Sequence, residues 1–227
     1  MNRSVRRSLP LFLFVSVTAA PFVLAQAGTP PAGNPLALKA GPPNAARGAK
    51  LAAASCQGCH GPGGRSTQSG VPGLAGQVPS YLKLQLPAFR AKLRPSPVMQ
   101  QVAGKLSDQD IVDLSAYYSA QKVGAAWPVT NAALRAKGEK LFNSGDAARN
   151  IIACAVCHGG NGRGLDAHGI ASVTNLAPKY AGTVLYEFRD TPSFGGLTHP
   201  EAMRIALKPM TNADMNAVIA YISSMQK

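Results

Sequence analysis

Two pentads carry the chemistry of this chain. Cys56-Gln57-Gly58-Cys59-His60 returns as Cys154-Ala155-Val156-Cys157-His158, and all four cysteines of the sequence fall in these two places. Two intervening residues let one turn of chain present both thiols along one edge of a planar ring, with the next residue's imidazole beneath its centre. That arrangement suits a c-type haem, whose vinyl groups form thioethers with the cysteines and whose iron takes the histidine as proximal ligand. A four-thiolate zinc site also uses C-x-x-C pairs, but it would leave to coincidence the histidine that follows the second cysteine both times. The expected cofactors are two covalently attached haem c groups. One is held by Cys56, Cys59 and His60, the other by Cys154, Cys157 and His158.

The elements that must position these groups are also written twice. Ala46 to Ser55 is rich in helix formers and runs into the first motif, and Gly61-Pro62-Gly63-Gly64 turns the chain after it. Tyr81, Leu82, Leu84, Leu86, Phe89 and Leu93 form a helical stripe with Pro87 as a candidate kink. Ser107 before Asp108-Gln109-Asp110 marks a capped helix start, and Ile111, Leu114, Tyr117 and Tyr118 supply that helix's buried face. Arg135 to Leu141 then echoes Arg47 to Leu51. In the repeat register Cys56 falls on Cys154; Pro79, Tyr81, Leu86, Phe89 and Arg90 fall on Pro178, Tyr180, Leu185, Phe188 and Arg189; and Leu106 to Ile111 falls on Met210 to Met215. The second copy has extra residues at Asn143 to Asn150 and between Arg189 and Glu201. One fold is therefore expected twice, over 45–122 and 131–227, joined by a linker at 123–130.

A low-spin electron-transfer haem needs a second axial ligand, and methionine opposite histidine raises the potential because its soft thioether favours Fe(II). Met99 is the one methionine of the first half beyond its motif, and it follows Pro95-Ser96-Pro97, read as an extended loop. The second half has Met203, Met210, Met215 and Met225. Met210 follows a proline, yet the register puts Met203 on Met99, Met210 on Leu106 and Met215 on Ile111. The metal ligands are thus expected to be His60 with Met99 and His158 with Met203. Met210 is the alternative and otherwise a core residue; His168 and His199 are read as surface histidines.

The first residues look like an export signal. Arg3, Arg6 and Arg7 precede an apolar run from Leu9 to Leu24, and Val23-Leu24-Ala25 offers a cleavage site, so residues 1–25 are expected to be removed, with Ala27 as the alternative end. The run is short for a spanning helix and is interrupted by Pro10 and Pro21, which disfavours an uncleaved anchor. Residues 26–44, rich in Pro, Gly and Ala, read as a flexible, unstructured leader. Export agrees with haem attachment, which in bacteria occurs outside the cytoplasmic membrane; the expected compartment is the periplasm. The formal charge of +13 falls to +10 without the three signal-peptide arginines. Basic residues are spread along the chain without interleaved aromatics, so nucleic acid is not an expected partner. The charge favours steering to an acidic docking face on a redox partner, or peripheral association with an anionic membrane surface. Lys83, Lys92, Arg94 and Lys105, around the first distal segment, are the candidate docking face.

With these residues in place the chain resembles the dihaem cytochrome c4 family of class I cytochromes c. The likeness runs from about Ala45 to Gln226. It rests on both motifs, on Pro72-Gly73-Leu74-Ala75-Gly76-Gln77 with Tyr81 and Gln85-Leu86, on Met99 seven residues before Leu106-Ser107-Asp108, and on Met210 to Tyr221. The resemblance implies an all-α fold, two tandem class I cytochrome c domains related by pseudo-twofold symmetry, and electron delivery in the periplasm, often to a haem-copper terminal oxidase. It also implies that the Pro62 carbonyl orients the proximal histidine. The second half departs there, with Gly160 at that position, and has Asn175-Leu176 and Val184 in place of Gly76-Gln77 and Gln85. Two haems of unequal potential are expected from these differences.

Two axial protein ligands on each iron leave no position for substrate, so the expected role is an electron carrier with no small-molecule substrate, serving a membrane-bound oxidase or a dehydrogenase. The rivals are the haem subunit of a periplasmic dehydrogenase, such as a sulfide-oxidising flavocytochrome c, and a dihaem enzyme of the peroxidase or thiosulfate dehydrogenase type.

Overall fold

A computed structural model describes residues 34–193 and 198–225, the side chain of Thr198 excepted. The expected signal peptide and the start of the leader lie outside the described residues.

The first half runs through α1 (Ala45–Ser55), α2 (Gln57–His60), α3 (Pro79–Arg90), α4 (Pro97–Ala103) and α5 (Asp108–Ser119). The second repeats the series with α6 (Ala132–Ser144), α7 (Ala155–His158), α8 (Pro178–Asp190), α9 (Thr198–Leu207) and α10 (Asn212–Ser224). Two isolated antiparallel bridges, Asp146 to Ile151 and Leu165 to Ile170, are the extended pairings among the described residues. The structure is the all-α pair of tandem domains that the repeat predicts.

In each half the first helix packs across the last, α1 on α5 and α6 on α10. Glycines make this approach possible. A Cβ on Gly48 would lie 2.2 Å from the Asp113 carbonyl oxygen, and one on Gly138 only 1.9 Å from that of Ala217. Both closing helices begin with a capping box: the Ser107 and Thr211 side chains accept from the amides of Asp110 and Asp214, whose carboxylates accept from the cap residues' own amides. Two orphan donors are thereby satisfied at each helix start. Leu82, Leu106, Ile111 and Leu114 anchor one core; Phe142, Met210, Met215 and Val218 anchor the other.

Each half caps a helix of its neighbour. α3 and α8 both open on proline. Ser80, on the first turn of α3, donates its amide to Asp166 Oδ1 at 2.9 Å. Tyr180, on the first turn of α8, donates its amide to the Ser69 carbonyl at 2.8 Å. Asp166 and Ser69 both lie in the loops that follow the cysteine motifs, so the exchange is reciprocal, as an approximate twofold requires.

The structure differs from the sequence reading in three places outside the motifs. Residues 34–44, expected to be unstructured, are held along α5: the amides of Lys39, Gly41 and Asn44 donate to Asp108 Oδ2, Gln109 Oε1 and Asp113 Oδ1 at 2.7, 2.7 and 2.8 Å. Polar side chains at the start of α5 satisfy the backbone of a segment with little apolar surface of its own, although Leu38 does reach the first core. Met99 lies on the first turn of α4, below its Ser96 cap, and not in an extended loop. Arg94 leaves the proposed docking face. It turns inward, donating to Gln85 Oε1 at 2.6 Å and to the Tyr180 hydroxyl at 3.0 Å across the junction, while Lys83, Lys92 and Lys105 remain exposed.

Candidate haem sites

The first motif is set by its helices. Cys56 ends α1, its amide donating to the Ala52 carbonyl at 3.0 Å, and its own carbonyl accepts the amides of Cys59 and His60 at 3.2 and 3.0 Å. This single turn fixes Cys56, Cys59 and His60 relative to the packed α1–α5 pair. The second motif repeats it: the Cys154 carbonyl accepts from Cys157 and His158 at 3.2 and 2.9 Å. The extra residues before Cys154 fold back on themselves, with Asp146 and Ile151 paired at 2.8 and 2.9 Å. Arg149 pins the segment to the carboxylate of Asp214 at 2.8 Å.

The histidines are buried and held alike. His60 Nδ1 donates to the Pro72 carbonyl at 2.9 Å, and His158 Nδ1 to the Ala171 carbonyl at 2.8 Å. A carbonyl can only accept, so Nδ1 carries the proton and Nε2 keeps its lone pair, the tautomer a metal-binding imidazole requires. Burial, opposed by these bonds, lowers both histidine pKa values, which keeps the rings neutral near pH 7.

This corrects the reading of Pro62. The acceptor for His60 is Pro72, not Pro62, and Gly160 costs the second histidine nothing because Ala171 serves it. Both acceptors are placed by loop closures of the same kind: the Gly64 carbonyl accepts from Leu74 at 2.8 Å, and the Gly162 carbonyl accepts from Val173 at 2.8 Å. Asn175 likewise keeps the conformation of Gly76. Both have positive φ, 54° and 66°, and their amides donate to the Ile222 and Tyr118 carbonyls, each at 2.8 Å. Asparagine tolerates this left-handed region better than most side chains.

The four cysteines are unbonded to one another. Among the described residues no group of three or more His, Cys, Asp or Glu could hold a metal ion, so the four thiols do not assemble a zinc site. Burial raises the pKa of Cys56 and pushes that of Cys154 up to about 11. Paired thiols beside an imidazole with a free Nε2 do fit a covalently attached haem. Met99 and Met203 are each half-buried, whereas Met210, Met215 and Met225 are buried in the second core. His168 and His199 are exposed, and His199 Nε2 donates to the His168 carbonyl at 2.8 Å.

A tandem pair of helical domains, each built around C-x-x-C-H with its histidine oriented by a loop carbonyl, defines a dihaem c-type cytochrome. The family model described as cytochrome c matches residues 45–120 and 135–226. Cytochrome c4 of Pseudomonas aeruginosa is 34% identical over 174 residues, covering 76% of this chain and 85% of its own length. A protein of Thiomonas intermedia named thiosulfate dehydrogenase electron acceptor is 35% identical over 177 residues, covering 76% of this chain and 79% of its own. The crystal structure of reduced recombinant cytochrome c4 from Pseudomonas stutzeri superposes with a TM-score of 0.74 at 32% identity, covering 81% of this chain and all of that one. The chain belongs to the dihaem cytochrome c4 family. It is an electron-transfer protein with two haem c groups, and its family members are carriers, not enzymes.

Sequence reasoning missed the carbonyls of Pro72 and Ala171. The signal available was positional: both lie twelve or thirteen residues beyond the histidine, where the following glycine-rich loop returns to the motif. The pairing of Gln77 with Ser172, described below, had no sequence signal.

Proposed function

We propose that this chain is a periplasmic shuttle that takes single electrons from a dehydrogenase and passes them to a membrane-bound oxidase. In this reading Cys56, Cys59, Cys154 and Cys157 form the thioethers, His60 and His158 are the proximal ligands, and Met99 and Met203 are the distal ones. The domains are 45–122 and 131–227. The observation that carries the reading is the matched anchoring of His60 and His158, which leaves Nε2 of each free while fixing its ring. The haem irons, when bound, supply the one-electron couple; the chain's task is to orient ligands, exclude water and present a surface to partners.

The excess of basic over acidic residues, 20 against 10 once Arg3, Arg6 and Arg7 leave with residues 1–25, supports a partner with an acidic docking face. Exposed Lys83, Lys92 and Lys105 are the candidate contacts. The Thiomonas relative's name, thiosulfate dehydrogenase electron acceptor, supports a thiosulfate dehydrogenase as donor. Among the described residues no helix is long and apolar enough to cross a membrane, which agrees with a mobile carrier.

Stopped-flow mixing of the oxidised holoprotein with a reduced thiosulfate dehydrogenase, and of the reduced holoprotein with oxidase-containing membranes, tests the reading. Both transfers should be bimolecular and should slow as salt is raised. Failure of both membranes and dehydrogenase to exchange electrons with the holoprotein would overturn it.

A further inference from the structure

The side chain of Gln77, at the end of the first domain's motif loop, reaches into the second domain. Its Nε2 donates to the Ser172 carbonyl at 3.0 Å, and the Ser172 amide donates to its Oε1 at 2.7 Å. The Val78 amide also donates to Oε1, at 2.8 Å, which fixes the orientation of the side-chain amide. Gln77 and Ser172 are 8% and 5% exposed, so these bonds are shielded from water.

The peptide that Gln77 grips is the one that holds His158. The Ser172 N–H and the Ala171 C=O belong to a single planar peptide group. One end donates to Gln77 Oε1 at 2.7 Å; the other accepts from His158 Nδ1 at 2.8 Å. Hydrogen bonds in series polarise one another, the more so away from solvent. An acceptor on the N–H makes the carbonyl a stronger acceptor, which draws the Nδ1 proton further from the imidazole and raises the electron density at Nε2. The relation is one-sided. The residue in register with Gln77 is Leu176, which has no side-chain amide and packs against the second core.

We infer that Gln77 is a positioning residue through which the first domain tunes the second haem, strengthening His158 as an electron donor and lowering that haem's reduction potential relative to the same site without it. The inference rests on His158 being the proximal ligand of the proposed function. Electron donation from a ligand favours the ferric state, so loss of the Gln77 acceptor should raise the second potential and leave the first unchanged.

Gln77→Met keeps the length of the side chain and removes both polar groups, while Gln77→Glu retains an acceptor for the Ser172 amide. Both are tested as intact dihaem proteins by redox titration of the two haems and by NMR of the His158 ring protons. The expected result is an upward shift of the second potential alone in Q77M, with a displaced His158 Nδ1–H resonance, and return to or below the native value in Q77E. Equal shifts of both potentials, or none in Q77M, while the His158 ring shows the paramagnetic shifts of an iron ligand, would overturn the inference and leave the ligand assignment standing. A His158 ring without paramagnetic shifts in the native oxidised protein would overturn both.

Discussion

Gly138 of α6 lies directly against the backbone of Ala217 on α10, so close that a Cβ would stand 1.9 Å from the Ala217 carbonyl oxygen. The obstacle is backbone and cannot rotate away. Alanine at this position should gain the ~1 kcal/mol of helix propensity that glycine forgoes and lose more, about 1–3 kcal/mol, to overpacking. Gly138→Ala and Gly48→Ala are both expected to lower the midpoint of denaturant unfolding, while Gly58→Ala, which lies in α2 and would meet nothing within 4 Å, should hold or raise it. Equal stability of all three variants would contradict the close crossing of first and last helices.

The two methionine classes of the second domain should separate cleanly. Met203→Ala is expected to free one iron, giving carbon monoxide binding at one haem of two and loss of half the far-red band of methionine-bound ferric haem. Met210 is 4% exposed within the core, and Met210→Ala should cost about 2–5 kcal/mol of stability while leaving both spectral properties intact. The reverse pattern would exchange their roles.

Asp214 makes the second domain sensitive to acid. Its side chain is 1% exposed and receives Arg149 at 2.8 Å and Lys137 at 2.9 Å. Burial alone would push this carboxyl up, but hydrogen bonds from Arg149, Thr211 and Lys137 hold it well below the usual carboxylate range. A folded-state pKa below the unfolded one gives stability that is complete above about pH 4–5 and is lost as pH falls further, because the unfolded chain then binds the proton first. Asp214→Asn should flatten the acid limb of stability against pH between about pH 5 and 2. A variant with the native acid limb would show that the carboxylate contributes nothing there.

Arg94 ties the domains through equivalent tyrosines, Tyr81 at 3.4 Å and Tyr180 at 3.0 Å. The planar fork of a guanidinium spans two acceptors where a lysine ammonium does not. Arg94→Lys and Arg94→Leu should both speed hydrogen exchange at the Tyr180 amide, which bonds across the junction to Ser69, and leave the core amide of Ile111 protected. Unchanged exchange at Tyr180 would show the junction to be independent of Arg94.

Much of this architecture is visible in the residues alone because the chain is duplicated. The motifs, the proline-opened helices and the capped final helices repeat with side chains that have local reasons to be where they are. Register also puts Met210, buried in the second core, on core Leu106, and Met203, half-buried against that same core, on Met99. What the sequence conceals is backbone geometry and contact across the junction. The Pro72 and Ala171 carbonyls carry no side-chain signature, and the family resemblance points to Pro62 instead. Residues 34–44 gave no sign of order because their partners are side chains of α5, far along the chain. Arg94 resembled any surface cation until Tyr180 of the other domain was placed beside it.

Spectroelectrochemical titration of the holoprotein, with carbon monoxide added to the reduced form, probes the carrier reading most directly. Two one-electron steps at unequal potentials, a far-red band that reports methionine on both ferric irons, and no carbon monoxide binding are the predicted result. A haem that lacks the band and binds carbon monoxide would have an open axial position, and would contradict a protein built only to carry electrons.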